Sequence, residues 1–125
     1  MNKIILKNIL LSLAICFLLL SIMWVMLPYN RATLLWKNGH SQQAISIWMN
    51  EIVKKHDIDS YQKLIETFIH SGNYNRAEQL TKSALTYYPE CVNFLFYYAV
   101  INFYKGNYKE SFQYTEKVVQ LNKYF

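Results

Sequence analysis

The sequence is poor in the residues from which small catalytic or metal sites are commonly built. Cysteine, proline and glycine number two, two and three in 125 residues. Cys16 and Cys91 form no CxxC pair, and Cys16 sits inside an apolar segment, so no bridge joins them. With so little glycine there is no glycine-rich phosphate loop and no nucleophile elbow. His40, His56 and His70 are not spaced as HxxxH or HxH, so no clustered metal ligands are encoded. Asp57 and Asp59 bracket a turn, where aspartate serves as a helix cap. Cys91 follows Pro89-Glu90 as a plain helix-start residue. These gaps predict a non-enzymatic chain without cofactor or metal.

Charge is also sparse. Only 17% of residues are charged and the formal net charge is +5. Lys3 and Lys7 belong to an N-terminal apolar segment, leaving 11 Lys+Arg against 8 Asp+Glu in the rest. No basic run exceeds the pair Lys54-Lys55, which argues against nucleic acid. Disorder is excluded by a hydrophobic content of 53%. Eleven tyrosines and seven phenylalanines stand out more than the charge does.

What is present begins with a long apolar run. From Ile9 to Leu27 the most polar residues are Ser12 and Ser21, and Ile4–Leu6 extend the run toward the N-terminus. At about 1.5 Å per helical residue it nearly spans a hydrocarbon core of roughly 30 Å. The competing reading is a cleaved signal peptide, but that would be shorter and would end at a small-x-small site. Here the run ends in Trp24-Val25-Met26-Leu27-Pro28. A lipoprotein signal before Cys16 would need a small residue where Ile15 stands. An uncleaved anchor over residues 1–28 is therefore expected, in contact with lipid through residues 4–27. Trp24 and Tyr29 fit an interfacial aromatic belt. Lys3, Lys7 and the α-amino group flank one side, Arg31 and Lys37 the other. This slight bias places the N-terminus in the cytoplasm and the rest outside it, periplasmic in a bacterium.

The remaining residues repeat. GNYNRA at Gly72–Ala77 returns as GNYKES at Gly106–Ser111, and Gly39, Gly72 and Gly106 are spaced by 33 and 34. Apolar residues at helical period flank each glycine: Ile45, Trp48, Met49, Ile52, Val53; Tyr61, Leu64, Ile65, Phe68, Ile69; Ala77, Leu80, Ala84, Leu85; Phe112, Thr115, Val118, Val119. Each glycine thus separates two amphipathic helices and turns the chain with positive φ. Asn73 and Asn107 are placed to cap the next helix. Tyr74 and Tyr108 are expected in the corner between paired helices. Ala44, Ala77 and Ser111 allow close helix approach. Six helices are expected, near 29–38, 41–55, 59–71, 74–87, 90–105 and 108–121, with Pro28 either kinking a long helix or starting a new one.

This pattern resembles the tetratricopeptide repeat (TPR) family, whose 34-residue helix–turn–helix units carry Gly, aromatic, Ala and Pro at fixed offsets. Residues 58–91 match with Tyr61, Leu64, Gly72, Tyr74, Ala77, Ala84 and Pro89. Residues 92–125 match with Leu95, Ala99, Gly106, Tyr108 and Ser111, with Lys123 in place of proline. Residues 25–57 match with Ala32, Gly39 and Ala44, but Ser41 replaces the tyrosine and the unit is one residue short. The implied fold is all-α: a transmembrane helix, then a short α-solenoid of about three hairpins over residues 29–125.

Such a solenoid binds partners on the concave face lined by each unit's first helix. The resemblance places Tyr29, Thr33, Trp36 and Lys37 there from the first unit. The second contributes Gln62, Glu66, Ile69 and His70, and the third Phe96, Tyr97, Val100, Phe103 and Tyr104. The stretch VNFLFYYAVINFY has only Asn93 and Asn102 as strongly polar residues. Leu95, Tyr98 and Ala99 can serve the core, whereas Phe96, Val100 and Phe103 point elsewhere. Either neighbouring units cover them or they form an aromatic groove for a partner. Tyr29, Trp36, Ile69, Phe96, Tyr97, Val100, Phe103 and Tyr104 are the candidate partner-binding residues. The last unit ends in Tyr124 and Phe125 without a polar capping helix, so a partner, a second copy or the membrane surface is expected over that flank. Some TPR domains grip a C-terminal carboxylate with basic residues, but Tyr29, Thr33, Gln62 and Glu66 occupy those places here. The expected role is a membrane-anchored adaptor or scaffold in a bacterial membrane protein complex. A membrane-tethered chaperone or export accessory holding apolar client segments is the alternative. A stoichiometric partner distinguishes the first from the many transient clients of the second.

Overall fold

The computed structural model describes residues 2–123; the expectations attached to the α-amino end, Tyr124 and Phe125 lie outside them. Seven helices follow one another: α1 Lys3–Met26, α2 Pro28–Lys37, α3 Ser41–Lys55, α4 Ile58–His70, α5 Tyr74–Tyr87, α6 Val92–Tyr104 and α7 Tyr108–Asn122. Among the described residues there is no strand. The boundaries of α2–α7 lie within two residues of those expected.

α1 is long and apolar enough to cross a membrane. None of its residues is buried against the rest of the chain. Its two serine hydroxyls are closed locally. Ser12 and Ser21 donate to the carbonyls of Ile9 and Leu18 at 2.8 and 2.7 Å, leaving no hydroxyl proton unsatisfied in an apolar solvent. At Leu27 the chain becomes extended (φ −61°, ψ 129°), and Pro28 opens α2 as its first residue. Proline has no N–H to lose there and its φ is already helical. Pro28 therefore starts a new helix. The Asn30 amide donates to the Trp24 carbonyl at 2.9 Å, tying the end of α1 to the start of α2.

The six remaining helices pair as α2–α3, α4–α5 and α6–α7, and successive pairs stack through α3–α4 and α5–α6, with α4 also against α6. Each pair turns at a left-handed glycine: φ is +82° at Gly39, +71° at Gly72 and +81° at Gly106. The hydrogen bonds at the three turns superimpose in pattern. His40, Asn73 and Asn107 each donate their backbone N–H five residues back, to Leu35, Phe68 and Asn102, at 2.8 Å. That bond satisfies an orphan carbonyl of the preceding helix. A Cβ at any of these glycines would meet nothing within 4 Å. The backbone angle demands glycine, and crowding plays no part.

Large side chains interleaved with small ones fill the core. Trp48, Tyr61, Leu64, Ile65, Phe94 and Ile101 are essentially inaccessible, and Ala32, Ala44, Ala77 and Ala84 supply the space between helices. Burying each of Leu64, Ile65, Phe94 and Ile101 contributes roughly 1.5–3 kcal/mol. Tyr61 meets Phe94 edge-on at 5.9 Å and shares a hydrogen bond with Ser83 at 2.9 Å. The Tyr88 hydroxyl donates to the His56 carbonyl at 2.6 Å, joining the ends of two hairpins 32 residues apart.

Two expectations need correction in the third hairpin. Asn73 caps α5 by accepting from the Arg76 N–H, but Asn107 makes no such cap. Its amide donates instead to Asn102 Oδ1 at 3.1 Å. Asn102, one of two strongly polar residues in its helix, is buried and donates to the Tyr98 carbonyl at 2.9 Å. Tyr74 does pack between helices, but Tyr108 is 64% exposed. The physical reason is the same for both tyrosines. Tyr74 is covered by Tyr104 of the next hairpin, and no helix among the described residues covers Tyr108.

A first test follows from the turn geometry. Gly72→Ala should destabilise the fold by about 1–2 kcal/mol, the cost of a left-handed β-carbon, while Gly72→Asn retains most of the stability. Denaturant unfolding followed by circular dichroism in detergent measures both; equal stability of all three proteins would refute the reading.

Candidate protein-interaction surface

The eight residues proposed from sequence do not form one groove. They divide into three groups.

Tyr29 and Ile69 pack against the core. Burial is the first cause holding the Tyr29 phenol above its usual pKa, with the charge of Asp59 second. Neither residue is free to contact a partner with more than part of its surface.

Trp36 also leans on the core, 5.8 Å from Trp48, yet it edges a cavity of about 350 Å³ with Lys63, Glu66, Thr67, His70 and Ser71. This is the concave side between α2 and α4, where polar residues and Trp36 enclose a surface that is largely carbon. Tyr97 does not line it but reaches Glu66, which does. The Tyr97 hydroxyl donates to Glu66 Oε1 at 2.5 Å, so this side chain is committed to joining the second and third hairpins. Burial raises the Tyr97 pKa well above the ordinary phenol range, and the bond to Glu66 adds to it.

Phe96, Val100, Phe103 and Tyr104 form the third group. They line a cavity of about 250 Å³ together with Ala99 of α6 and Ser111 and Thr115 of α7. Phe96 is 52% exposed and Phe103 58%, so neighbouring helices do not cover them. α6 places them there because it is apolar on all sides. Phe94, Leu95, Tyr98, Ala99 and Ile101 are taken into the core, and the other apolar side chains project outward. Phe103 meets Tyr104 and Tyr108 edge-on at 5.9 and 5.6 Å, which extends the aromatic surface onto α7.

Solved structures with this fold include the second TPR domain of Spaghetti (RPAP3) bound to an HSP90 peptide, SRMEEVD. The TM-score is 0.64 at 17% identity, over 75% of this chain and 83% of that chain. The hairpins are TPR-like. No family model and no curated protein sequence matches the chain.

Sequence reasoning expected an apolar flank on the last unit but did not name the residues that form it. Phe112 and Val119, on the apolar periodic pattern of α7, are 64% and 50% exposed. No residue of α7 is buried, counting the described residues. The signal was available in the 34-residue register. Thr81 on α5 is buried and Leu85 half-buried, whereas no helix among the described residues covers their counterparts Thr115 and Val119.

The Tyr97–Glu66 pair generates a pH test. A phenol whose pKa is raised on folding contributes stability that is fully present below about pH 10 and is lost as pH rises further. Tyr97→Phe should cost about 1 kcal/mol at neutral pH and should flatten the alkaline loss of stability. Thermal unfolding from pH 7 to 11 measures this, and an unchanged alkaline slope would count against it.

Proposed function

We propose that this chain is a membrane-anchored TPR-like adaptor, a non-enzymatic subunit or assembly factor of a bacterial membrane protein complex. Residues 1–28 anchor it and residues 29–125 present the interaction surface. The reading rests on one observation above others: an aromatic surface on α6 and α7, built around Phe96, Val100, Phe103 and Tyr104, lies open beside a fully packed core. Exposed apolar patches of this kind mark contact sites.

The geometry at Pro28 supports the anchored arrangement. One extended residue separates α1 from α2, and Asn30 bridges them. The repeats therefore sit against the bilayer surface, and confinement to its plane raises the effective concentration of a neighbouring membrane partner. In the proposed orientation the N-terminus is cytoplasmic and the repeats are extracytoplasmic. Tyr29, Trp36, Ile69 and Tyr97 shape the concave side, and Trp36 is the one most available there to a ligand.

The solved TPR neighbour holds a peptide with three acidic residues in its printed sequence. The concave side here offers Lys63 beside Glu66, a balance ill suited to an acidic tail. The open aromatic surface suits an apolar partner better.

Phe96→Ala combined with Phe103→Asp should abolish co-purification of a stoichiometric partner after gentle detergent extraction. The variant should remain in the membrane pellet through an alkaline carbonate wash. Retention of the partner would exclude this surface, and release of the wild-type chain by carbonate would exclude the anchor.

A further inference from the structure

The repeat provides its own template for what covers the α6–α7 surface. A shift of 34 residues carries the α4–α5 pair onto the α6–α7 pair. On α4–α5 the corresponding face is covered by α6: Ile65, Ala77 and Thr81 are completely buried. Three contacts fix α6 there. Tyr97 donates to Glu66, Tyr104 stacks nearly flat on Tyr74 (5.0 Å, 8°), and Lys105 pairs with Glu78. Lys105 and Lys82 together hold the Glu78 carboxyl below its usual range.

On α6–α7 the counterpart of Ile65, Ala99, is still buried, but Ser111 is only half-buried and Thr115 is exposed, and the three positions nearest the directed contacts have become apolar. Val100 stands where Glu66 was, Phe112 where Glu78 was and Phe96 where Gln62 was. Tyr108 keeps the platform of Tyr74. The seat thus retains its aromatic platform and its cleft, here about 250 Å³. It has lost both acceptors that receive a hydroxyl and an ammonium from α6.

We propose that this seat binds one α-helix of another polypeptide, docked as α6 docks on α4–α5 and free of charge along the docked stripe. This deepens the adaptor reading and rests on it. The stripe has the spacing of Phe94, Tyr97, Tyr98, Ile101 and Tyr104 on α6: i, i+3, i+4, i+7 and i+10. A buried charge on that stripe would face Val100 and Phe112 with no partner, which is costly. A second copy docking head-to-tail is the wrong chemistry. The equivalent stripe on α2 carries Asn30, Arg31 and Lys37, and Arg31 and Lys37 would meet the apolar seat. Two copies facing through the same edge would set cleft against cleft and leave both unfilled.

The test uses the full chain in nanodiscs and two synthetic helices. Both have the sequence Val92–Lys105 with Phe96→Lys and Phe103→Lys for solubility. One also carries Tyr97→Leu and Lys105→Leu; the other keeps Tyr97 and Lys105. The apolar-striped helix should bind the wild-type chain more tightly than the other, by on the order of a hundredfold. In the chain variant Val100→Glu with Phe112→Glu, which restores both acceptors at exposed or half-exposed sites, the preference should reverse. Equal binding of the two helices, or no reversal, overturns the proposal. So does a photoreactive group at Phe112 in intact membranes that captures lipid or a second copy. If neither helix binds while Phe96→Ala with Phe103→Asp still strips a co-purifying protein, this inference fails and the adaptor reading stands. If the helices discriminate as expected but no protein ever co-purifies, the adaptor reading fails and the seat stands.

Discussion

The left-handed glycine turn is the constraint on which the rest of the structure depends. It occurs three times with nearly the same φ and the same bond from the third residue after the helix to a carbonyl five residues back. Because each turn reverses the chain in the same way, each hairpin presents the same helix faces in the same order. This is why a residue in one hairpin has a meaningful counterpart 34 positions away. With non-glycine residues at these points, each turn would carry the strain of a left-handed β-carbon, and the register would lose its enforcement.

Stacking between hairpins combines apolar burial with a few directed contacts. Tyr61 against Phe94 belongs to the first kind, and Tyr97 with Glu66 and Lys105 with Glu78 to the second. The directed contacts favour this placement of α6, since the partly buried Glu66 would lose its phenol donor in any other. Their absence on the outer edge of α6–α7 is therefore informative. That edge keeps the apolar attraction of the inner interface and drops its polar specification. A surface of this kind suits a helix that differs from the chain's own.

Most of the architecture was legible in the sequence. The apolar run, the glycine spacing and the 3.6-residue pattern located every helix to within two residues or so; Asp57 was readable as a cap, while Pro28 could be read as a kink or a start and proves to be a start. The candidate surface was only half legible. Phe96 and Phe103 could be read as outward because α6 has more apolar residues than one core stripe can use. Phe112 and Val119 could not, since an apolar position on an amphipathic helix is inward-facing by default. Side-chain pairing between helices was not legible. Tyr97 is bound to Glu66, and Asn102, one of two strongly polar residues in its helix, is buried against Tyr98 and Asn107.

The sequence by itself determined the local structure, because backbone angles at glycine and proline and the periodicity of apolar side chains depend only on near neighbours. It determined the all-helical hairpin array and a first helix long enough to cross a bilayer. Which apolar side chains are used up within the chain was decided by tertiary structure alone. Coverage of a face depends on whether another helix stacks there, and the stacking of α6 on α4–α5 and the open edge of α6–α7 arise from contacts between residues some thirty positions apart.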